Sequence, residues 1–411
     1  MRKDIRVVIG ANFGDEGKGL MTDYFCSHFP KNEKVLNVRF NGTCQAGHTV
    51  VKGKKRHVSS HFGSGSFNEN VVTFLTSDFY VNPILFNKEY DELIELGITP
   101  LVIVDPNAPV VTFYDMLYNR VIESSRGENR HGSCGMGLWE ALLRGRADYI
   151  LTVDDFKKGP RKLANKLLEI RNIYFAEKFK NDGIIFDSSV DDVDWFDESI
   201  IDNYILEAKK MLERVTIENE KLVLNRFNKL VFEGAQGLLL DWMNREYMPY
   251  LTASRTGLFN VNRLLKLIDS EYCVEVCYVT RSYFTRHGVG LFKTEVENKE
   301  KLGIFENDKT NHLNPWQGVF RYGYFDLDLF RTTIEKDLKD LESENVRKSI
   351  CVTHLDETNG YIMTENKISL TNFMALFAPN FDFYHSYSED NKNIKHKSFA
   401  DLRFLKDIYG D

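Results

Sequence analysis

Residues 5–19 read Ile5-Arg-Val-Val-Ile-Gly-Ala-Asn-Phe-Gly14-Asp-Glu-Gly-Lys-Gly19, which is an apolar run followed by a glycine-rich loop. The apolar run predicts a buried strand, and the residues after the loop predict a helix. Glycines let the backbone approach a polyphosphate closely, while Lys18 and the helix N-terminus supply positive charge. The stretch therefore predicts an α/β protein with a P-loop-like phosphate loop at the end of a strand.

Asp15 lies inside this loop, beside the expected phosphates. A carboxylate repels a phosphate unless Mg²⁺ bridges the two groups or the carboxylate acts as a base on the phosphoryl acceptor. Its position favours phosphoryl transfer over simple anion binding. The loop is not a Walker A motif, because Asn12 stands where that motif begins with glycine and Gly19 replaces its Ser/Thr. An ordinary glycine turn between strand and helix is the alternative interpretation.

Length and composition predict one large domain over residues 1–411, with a helical elaboration at about 158–217, because the sequence contains no Pro/Gly-rich linker. The formal net charge of −7 argues against general nucleic-acid binding and favours small anions as partners. We expect no membrane contact, since no apolar run is long enough for a span or a signal peptide. Six scattered cysteines are typical of a reducing cytoplasm, and Cys273 and Cys277 favour a strand over a zinc site.

Short β-branched runs alternate with segments of helical periodicity along the chain, a pattern typical of a large, mainly parallel sheet covered by helices. The predicted strands are 35–40, 71–76, 101–105, 230–232, 274–281 and 349–355. The predicted helices are 87–96, 112–124, 161–178, 194–214, 258–268 and 327–341, and residues 50–59 predict a hairpin.

Loops that follow parallel strands share one edge of a sheet, where ligands of open α/β folds collect. Five loops with polar or glycine-rich chemistry are expected to meet there, around the loop 14–19 discussed above. They are Asn41-Gly-Thr-Cys-Gln-Ala-Gly-His-Thr49, Glu233-Gly-Ala-Gln-Gly237 and Thr285-Arg-His-Gly-Val-Gly290, with His131-Gly-Ser-Cys-Gly-Met-Gly137 and Thr353-His-Leu-Asp356 completing the set.

Three side chains in or near these loops have both a functional and a structural interpretation. His48 follows a flexible glycine and could deliver a proton to an oxygen that receives a phosphoryl group, although a lone histidine is usually structural. Gln236 lies between glycines and could bind the amide edge of a purine, or satisfy its own turn. Arg144 could clamp a phosphate with its planar guanidinium, or simply end a helix at the surface.

Several uncommon motifs, in order, resemble those of the adenylosuccinate synthetase family, and the likeness runs from about residue 5 to residue 356. The family has a loop similar to 14–19, an Asn-Ala-Gly-His-Thr-like segment similar to 45–49 and a Phe-Glu-Gly-Ala-Gln-Gly segment present here as 232–237. Residues 247–252 and 283–290 also match. The resemblance implies the adenylosuccinate synthetase fold and assembly as a homodimer.

The resemblance implies a ligation in two steps. A nucleoside triphosphate phosphorylates O6 of a purine nucleoside monophosphate, and the amine of L-aspartate then displaces phosphate at C6. By position, Asp15 would take the N1 proton and hold Mg²⁺ with the Gly47 carbonyl, while His48 would donate a proton toward O6. The residues expected to bind the triphosphate are Gly14, Glu16, Gly17, Lys18, Gly19, Gly47, His48, Thr49, His354 and Asp356.

The same resemblance implies sites for the other two substrates. The purine monophosphate would contact Asp15, Gln45, Ser133 or Cys134, Gln236 and Thr252, with Arg144 reaching its phosphate across the homodimer interface. The usual arginine-rich aspartate loop is replaced by residues 310–323, which leave Arg321 as the clearest cation for the aspartate carboxylates, with Thr310, Asn311 and Gln317 as further contacts. Trp316 in that loop could stack on a base or act as an apolar lid.

Three departures bear on the substrate. Thr353-His-Leu-Asp356 and Ser386-Tyr-Ser-Glu389 replace the family's Thr-Lys-Leu-Asp and Ser-x-Gly-Pro guanine contacts, and 131–137 replaces its Thr-Thr-Gly-Arg-Gly loop. These changes resemble the phage branch that makes 2-amino-2′-deoxy-N6-succinyladenylate from dGMP with ATP or dATP, in the host cytoplasm. Asp15 stands where that branch often has serine. An ordinary enzyme that uses IMP and GTP is the alternative, and a non-catalytic nucleotide sensor is a more remote one.

Overall fold

The computed structural model describes residues 2–184, 193–305 and 318–398. Its central feature is a large sheet built from the strands β1 Lys3–Gly10, β2 Val35–Arg39, β5 Val71–Leu75, β6 Leu101–Val104, β7 Thr216–Ile217, β8 Lys229–Gly237, β9 Tyr272–Arg281, β12 Val346–Thr353, β15 Asp382–His385 and β16 Lys395–Lys397. Neighbouring strands run in the order β16-β15-β12-β9-β1-β8-β2-β5-β6-β7. All pairs in this sheet are parallel except β15 with β16. The predicted fold class, a mainly parallel α/β sheet, is therefore confirmed.

Three small antiparallel pairs stand outside the central sheet. They are β3 His48–Lys52 with β4 Lys55–Ser59, β10 Phe284–His287 with β11 Phe320–Gly323, and β13 Tyr361–Ile362 with β14 Ile368–Ser369. The first pair is the hairpin predicted at 50–59, and it begins two residues earlier, at His48. The second pair was not predicted, because its strands are short and are separated by more than thirty residues of sequence.

The helices cover the two faces of the sheet and begin at recognisable caps. Pro83 follows Asn82, whose side chain accepts the N–H groups of the first turn, and the helix predicted from residue 87 therefore begins four residues earlier. Thr112 and Asp115 form a capping box at the next helix. The helices are α1 Lys18–Ser27, α2 Pro83–Glu95, α3 Phe113–Ser125, α4 Leu138–Arg146, α5 Val153–Phe156, α6 Pro160–Glu169, α7 Ala176–Asp182, α8 Ser199–Leu212, α9 Glu220–Arg226, α10 Leu258–Leu265, α11 Leu327–Leu338 and α12 Leu370–Phe377.

The predicted helical elaboration contains α6, α7 and α8. One continuous helix was predicted over 161–178, but the structure has a π-helical stretch at Ile170–Phe175 between α6 and α7. Phe175 and Trp195 pack there in an apolar cluster with the α2 and α3 residues that cover β5 and β6. The division of the chain into a single domain with this elaboration stays a prediction. In the described parts of the chain, no helix is both long and apolar enough to cross a bilayer.

A cluster of phenylalanines fixes α11 and α12 against the sheet. The Phe373 ring is fully buried and lies 5.0–6.5 Å from the rings of Phe325, Phe330, Phe377 and Phe383. Aromatic packing of this kind adds to the free energy gained by burying apolar surface.

We expect Phe373→Ala to lower the free energy of unfolding by about 3–5 kcal/mol, because it leaves a cavity the size of a phenyl ring. Urea denaturation followed by circular dichroism measures the change. Leu206→Ala is the matched control, since that side chain is 62% exposed, and it should be nearly neutral. Equal effects of the two substitutions would contradict the packing described.

Candidate active site

The carboxyl ends of five neighbouring strands, β12, β9, β1, β8 and β2, lie side by side at one edge of the sheet. The loops that follow them are in direct contact. Arg281 Nε, at the end of β9, donates to the Asp15 carbonyl at 2.6 Å, and Thr353 Oγ1, at the end of β12, donates to the Glu16 carbonyl at 2.7 Å. The ends of β9 and β12 therefore meet the glycine-rich loop, as predicted, whereas the segment 233–237, predicted as a loop, is part of the strand β8.

The glycine-rich loop uses left-handed backbone at three of its positions. The φ angles are +94° at Gly14, +61° at Asp15 and +96° at Gly17, where the helix α1 is capped. Glycine adopts such angles without strain, whereas aspartate does so at a cost and is found there mainly in turns and functional sites. The loop thus holds Asp15 in an unusual conformation at the start of a helix.

The donors of this loop already converge on a carboxylate of the chain itself. Glu16 Oε1 accepts the N–H groups of Asn12 and Gly14 at 3.0 and 2.8 Å, and Glu16 Oε2 lies 2.7 Å from Lys18 Nζ. The side chains of Glu16 and Lys18 are both buried. Two backbone N–H groups and an ammonium arranged around one anion show that the loop is built to hold negative charge.

The Asp15 carboxylate is 31% exposed and lies 3.4 Å from Nε2 of His287. No group of three or more His, Cys, Asp and Glu side chains in the described residues is placed to hold a metal ion. Mg²⁺ usually takes one or two carboxylates and completes its shell with water and substrate phosphates, so it does not require such a group. The accessible Asp15 carboxylate and the exposed Gly47 are suitable oxygen donors for such an ion.

His48 is placed beside the phosphate loop by the β3–β4 hairpin. A Cβ atom at Gly19 would lie 3.1 Å from His48 Cβ and 2.9 Å from the Thr49 carbonyl, so glycine is required for this approach. His48 Nδ1 lies 2.5 Å from Oε1 of Glu233 on β8. The ring is buried, and its Nε2 has no hydrogen-bond partner among the described residues. One ring nitrogen is therefore anchored and the other remains available for chemistry.

Burial lowers the pKa of His48 to about 4, against the opposing effect of Glu233. Burial by itself would raise the pKa of Glu233, but the charge of Arg39 and the bonds from His48 and Ser64 outweigh it and lower that pKa to about 2. In the ligand-free protein, His48 is therefore a neutral imidazole whose Nδ1–H donates to a carboxylate. Nε2 carries no proton in this form, so His48 would have to bind one there when negatively charged substrate arrives.

Glu233 is the functional residue that sequence reasoning missed. It is fully buried, and besides His48 it accepts the hydroxyl and the N–H of Ser64 and, at 3.0 Å, the side-chain amide of Asn37. The predicted strand ended at residue 232 and left Glu233 in a loop, whereas β8 continues to Gly237 and buries the carboxylate, which therefore requires compensating donors. Its partner across the strand pair is Arg39 on β2.

Two of the residues predicted to bind the purine monophosphate are joined directly. Gln45 Nε2 donates to Thr252 Oγ1 at 2.6 Å, and the Cys134 thiol lies 3.7 Å from Gln45 Oε1. Ser133 Oγ instead donates to Asn119 at 2.6 Å, so Cys134 rather than Ser133 connects the loop 131–137 to this group. Gln236 has a left-handed backbone, with its amide close to the phosphate loop at Gly14.

Arg144 has a full set of partners within its own chain, and the phosphate contact predicted for it across a homodimer interface stays a prediction. Its guanidinium is 1% exposed and binds both carboxylate oxygens of Asp115 at 2.9 and 3.0 Å, together with the carbonyls of Val110 and Tyr149. The guanidinium N–H groups of Arg144 therefore donate to acceptors of its own chain. Arg146, two residues further along α4, is exposed and stacks 4.3 Å over the Trp242 ring.

Arg321 is also engaged within its own chain. It donates to the carbonyls of Gly288 and Gly290, at 2.7 Å each, and lies 2.5 Å from a Glu295 carboxylate oxygen. An aspartate carboxylate would therefore compete with Glu295 for this cation. The other predicted aspartate contacts, Thr310, Asn311 and Gln317, lie outside the described residues, as does Trp316.

The segment 353–356 follows β12 beside the phosphate loop. His354 has a left-handed backbone, and its Nδ1 lies 2.8 Å from Thr353 Oγ1, while Asp356 is exposed. Ser386, at the end of the neighbouring β15, donates its hydroxyl to the Ser388 carbonyl. The two segments predicted to recognise the triphosphate base are therefore adjacent, since the Leu355 N–H donates to the Ser386 carbonyl.

The fold is a mainly parallel α/β sheet with a glycine-rich anion-binding loop at the carboxyl end of β1, and His48 of the neighbouring hairpin lies beside that loop. The sequence profile of adenylosuccinate synthetase matches residues 7–369. The chain belongs to the adenylosuccinate synthetase family and is a ligase that forms C–N bonds.

Sequence relatives support the assignment to this family. The chain is 30% identical to adenylosuccinate synthetase of Clostridium beijerinckii over 339 residues, which cover 80% of this chain and 74% of that protein. It is 28% identical to the Pseudomonas fluorescens enzyme over 360 residues, 86% of this chain and 77% of that protein.

Two solved structures share the fold at low sequence identity. The fully ligated adenylosuccinate synthetase of Plasmodium falciparum matches with a TM-score of 0.73 at 16% identity, covering 96% of this chain and 99% of that one. The succinoaminodeoxyadenylate synthetase of cyanophage S-2L, bound to dGMP and dATP, matches with a TM-score of 0.63 at 15% identity over 100% of both chains.

We expect Arg144→Ala to lower the free energy of unfolding by about 3–5 kcal/mol, because it leaves the buried Asp115 carboxylate unpaired. Arg146→Ala, the matched control on the same helix, should leave stability nearly unchanged. Thermal and chemical denaturation of the two variants measure the difference. If the Arg144→Ala variant were fully stable but bound purine monophosphate weakly, that result would contradict the structural role and support the phosphate contact predicted from the sequence.

Proposed function

We propose that this protein joins L-aspartate to C6 of a purine nucleoside monophosphate, with dGMP as the favoured substrate and ATP or dATP as the phosphoryl donor. The products would be 2-amino-2′-deoxy-N6-succinyladenylate, the nucleoside diphosphate and phosphate. The observation that carries the reaction type is the convergence of the Asp15 loop, Lys18 and the Glu233-anchored His48 at one edge of the sheet.

In the first step, the γ-phosphoryl group passes from the triphosphate to O6, and the diphosphate leaves. Asp15 accepts the N1 proton, which makes O6 a stronger nucleophile. When the triphosphate binds, its oxygens replace the Glu16 carboxylate as the acceptors of Lys18 and of the loop N–H groups. Asp15 and the Gly47 carbonyl would hold Mg²⁺, which when bound neutralises charge on the phosphates.

His48 would act on the oxygen that receives the phosphoryl group. Glu233 fixes Nδ1 as the donor, so that Nε2 is the atom that takes up a proton as negative charge accumulates nearby. The proton is then shared with O6 or with the transferring phosphoryl group. In the second step the aspartate amine attacks C6, the C6–O6 bond breaks, and phosphate leaves.

The choice of dGMP rests on the departures in the base-binding loops. Cys134 and Gln45 form a small, largely neutral wall where ordinary members have other groups, and an Asp15 carboxylate accepts bonds from guanine N1–H and its 2-amino group. The cyanophage enzyme, whose structure holds dGMP and dATP, shares the fold over the full chain. His354 in place of lysine, and Ser386-Tyr-Ser-Glu389 in place of Ser-x-Gly-Pro, depart from the family's guanine contacts, and ATP or dATP is proposed as the donor on that ground.

Ordinary adenylosuccinate synthesis from IMP and GTP is the second candidate. The sequence relatives compared above are adenylosuccinate synthetases, and the chain retains Asp15 and Asp356.

The proposed assembly is a homodimer. Arg146 is an exposed arginine on the same helix as Arg144 and could contact a neighbouring subunit.

We expect Asp15→Ala and His48→Ala each to reduce kcat at least about a hundredfold, the scale of general acid–base groups. Phosphate release under saturating substrates measures the loss. His28→Ala, which removes an exposed histidine at the end of α1, is the control and should retain wild-type turnover. Near-normal rates in either active-site variant would remove that residue from the mechanism.

A matrix of substrates separates the two candidate reactions. The protein is incubated with Mg²⁺ and aspartate, with ATP, dATP or GTP, and with dGMP or IMP, and the products are identified by mass spectrometry. We expect the succinylated product of dGMP with ATP or dATP. Turnover of IMP with GTP alone would overturn the substrate proposal and leave the ligase assignment intact.

A further inference from the structure

Six consecutive backbone N–H groups, from Ser60 to Gly65, each donate to a side chain of another element. Those of Ser60, His61 and Phe62 all donate to Glu89 on α2, at 2.9, 2.8 and 3.3 Å. Those of Gly63, Ser64 and Gly65 donate to Thr73 Oγ1, Glu233 Oε2 and Asn37 Oδ1, at 3.0, 3.0 and 2.9 Å. We call residues 60–65 the cradle segment.

The cradle segment has almost no room to move. A Cβ atom at Gly63 would lie 2.2 Å from Asn37 Oδ1, and one at Gly65 would lie 2.5 Å from Cys26 Sγ. Both distances are far below van der Waals contact, so the backbone is pressed against β2 and α1. A shift at one end of this segment therefore has to displace its neighbours.

Glu89 is the anchor at the first end of the cradle segment. The carboxylate is buried, and Nε2 of His57 and Nδ1 of His61 lie 3.6 and 3.5 Å from its oxygens, beyond hydrogen-bond distance but within electrostatic reach. His61 Nε2 accepts the Asn82 N–H at 3.1 Å, so the His61 proton sits on Nδ1 and faces the carboxylate. The contacts with both imidazoles and the backbone N–H of His61 outweigh burial and lower the pKa of Glu89 to about 2.

Ser64, at the other end, meets the active site. Its hydroxyl and its N–H both donate to Glu233, the carboxylate that holds His48 Nδ1. Only Gly63 thus separates the last Glu89 contact, at Phe62, from the Glu233 contact at Ser64. Glu89 accepts hydrogen bonds from the cradle backbone, and Ser64 and His48 both donate to Glu233. The cradle segment therefore links Glu89 to His48 through hydrogen bonds, alongside the contact of His57 on β4 with Glu89.

We propose that Glu89 is a positioning residue for the phosphoryl-transfer step: it holds the cradle segment so that Ser64 orients Glu233, and Glu233 orients His48. The inference rests on the proposed function of His48. A displacement of about 1 Å at a reacting group is enough to cost about a hundredfold in rate. A carboxylate on α2, outside the loops at the sheet edge, therefore contributes to the geometry of the catalytic histidine.

The test compares Glu89→Gln with a matched control. The substituted amide keeps the shape of the carboxylate but has one accepting oxygen for three N–H groups. We expect kcat to fall by about tenfold to a hundredfold, with KM for both nucleotides within about threefold. The control is Asp337→Asn, which changes another buried carboxyl group, one that accepts the N–H of Leu258 and the hydroxyl of Tyr278; it should leave kcat unchanged.

Amide hydrogen exchange supplies a readout that does not depend on turnover. In Glu89→Gln, exchange should accelerate at 60–62 and also at Ser64, whose N–H bonds to Glu233 and not to Glu89. In the double variant, the fold-loss of kcat should be smaller than the product of the fold-losses caused by Ser64→Ala and Glu89→Gln alone, because both substitutions act through Glu233.

Unchanged exchange at Ser64, unchanged kcat, or fully multiplicative effects of the two substitutions would each overturn the inference. A wild-type protein that turns over none of the substrates would instead overturn the proposed function. The exchange measurement would still decide whether Glu89 holds Ser64.

Discussion

The buried carboxylate of Glu233 is the group on which the arrangement of the site depends. It lies in the middle of the sheet on β8, fully removed from water, and accepts bonds from His48, Ser64 and Asn37. An unpaired buried charge costs several kcal/mol, so these partners are obligatory rather than incidental. Because the partners come from β2, the hairpin and the cradle segment, one carboxylate fixes three elements at the same point.

The surrounding charges extend this constraint to the phosphate loop. Arg39 lies beside Glu233 in the strand register, and Lys18 pairs with Glu16 one strand further along. Buried charges of both signs therefore lie on β2, on β8 and in the loop that follows β1. Arg39 and Glu233 are positioned before any reaction, whereas Lys18 would leave Glu16 when a triphosphate binds. Asp15, by contrast, remains partly exposed, as suits a group that meets substrate directly.

The sequence predicted the longer strands of the sheet and the glycine-rich loop after β1, because these depend on local patterns of apolar residues and glycines. The short strands β7, β15 and β16 were not predicted, and β8 is longer than predicted. Nor did the sequence predict which polar side chains are committed to the fold. Arg144 and Arg321 carry the right chemistry for anions, yet Asp115 and Glu295 already bind them, through contacts 29 and 26 residues apart in sequence. Glu89 and Glu233 act through long-range contacts of the same kind, which no local pattern reveals.

Glu233 holds His48 as a neutral imidazole with its proton on Nδ1, so that Nε2 is the nitrogen proposed to react. Nitrogen-15 NMR of the His48 ring in the ligand-free protein at neutral pH tests this most directly. The account predicts a protonated Nδ1 and an unprotonated Nε2, and loss of that pattern in Glu233→Gln. A proton on Nε2 in the wild-type protein, with Nδ1 either bare or protonated, would contradict it.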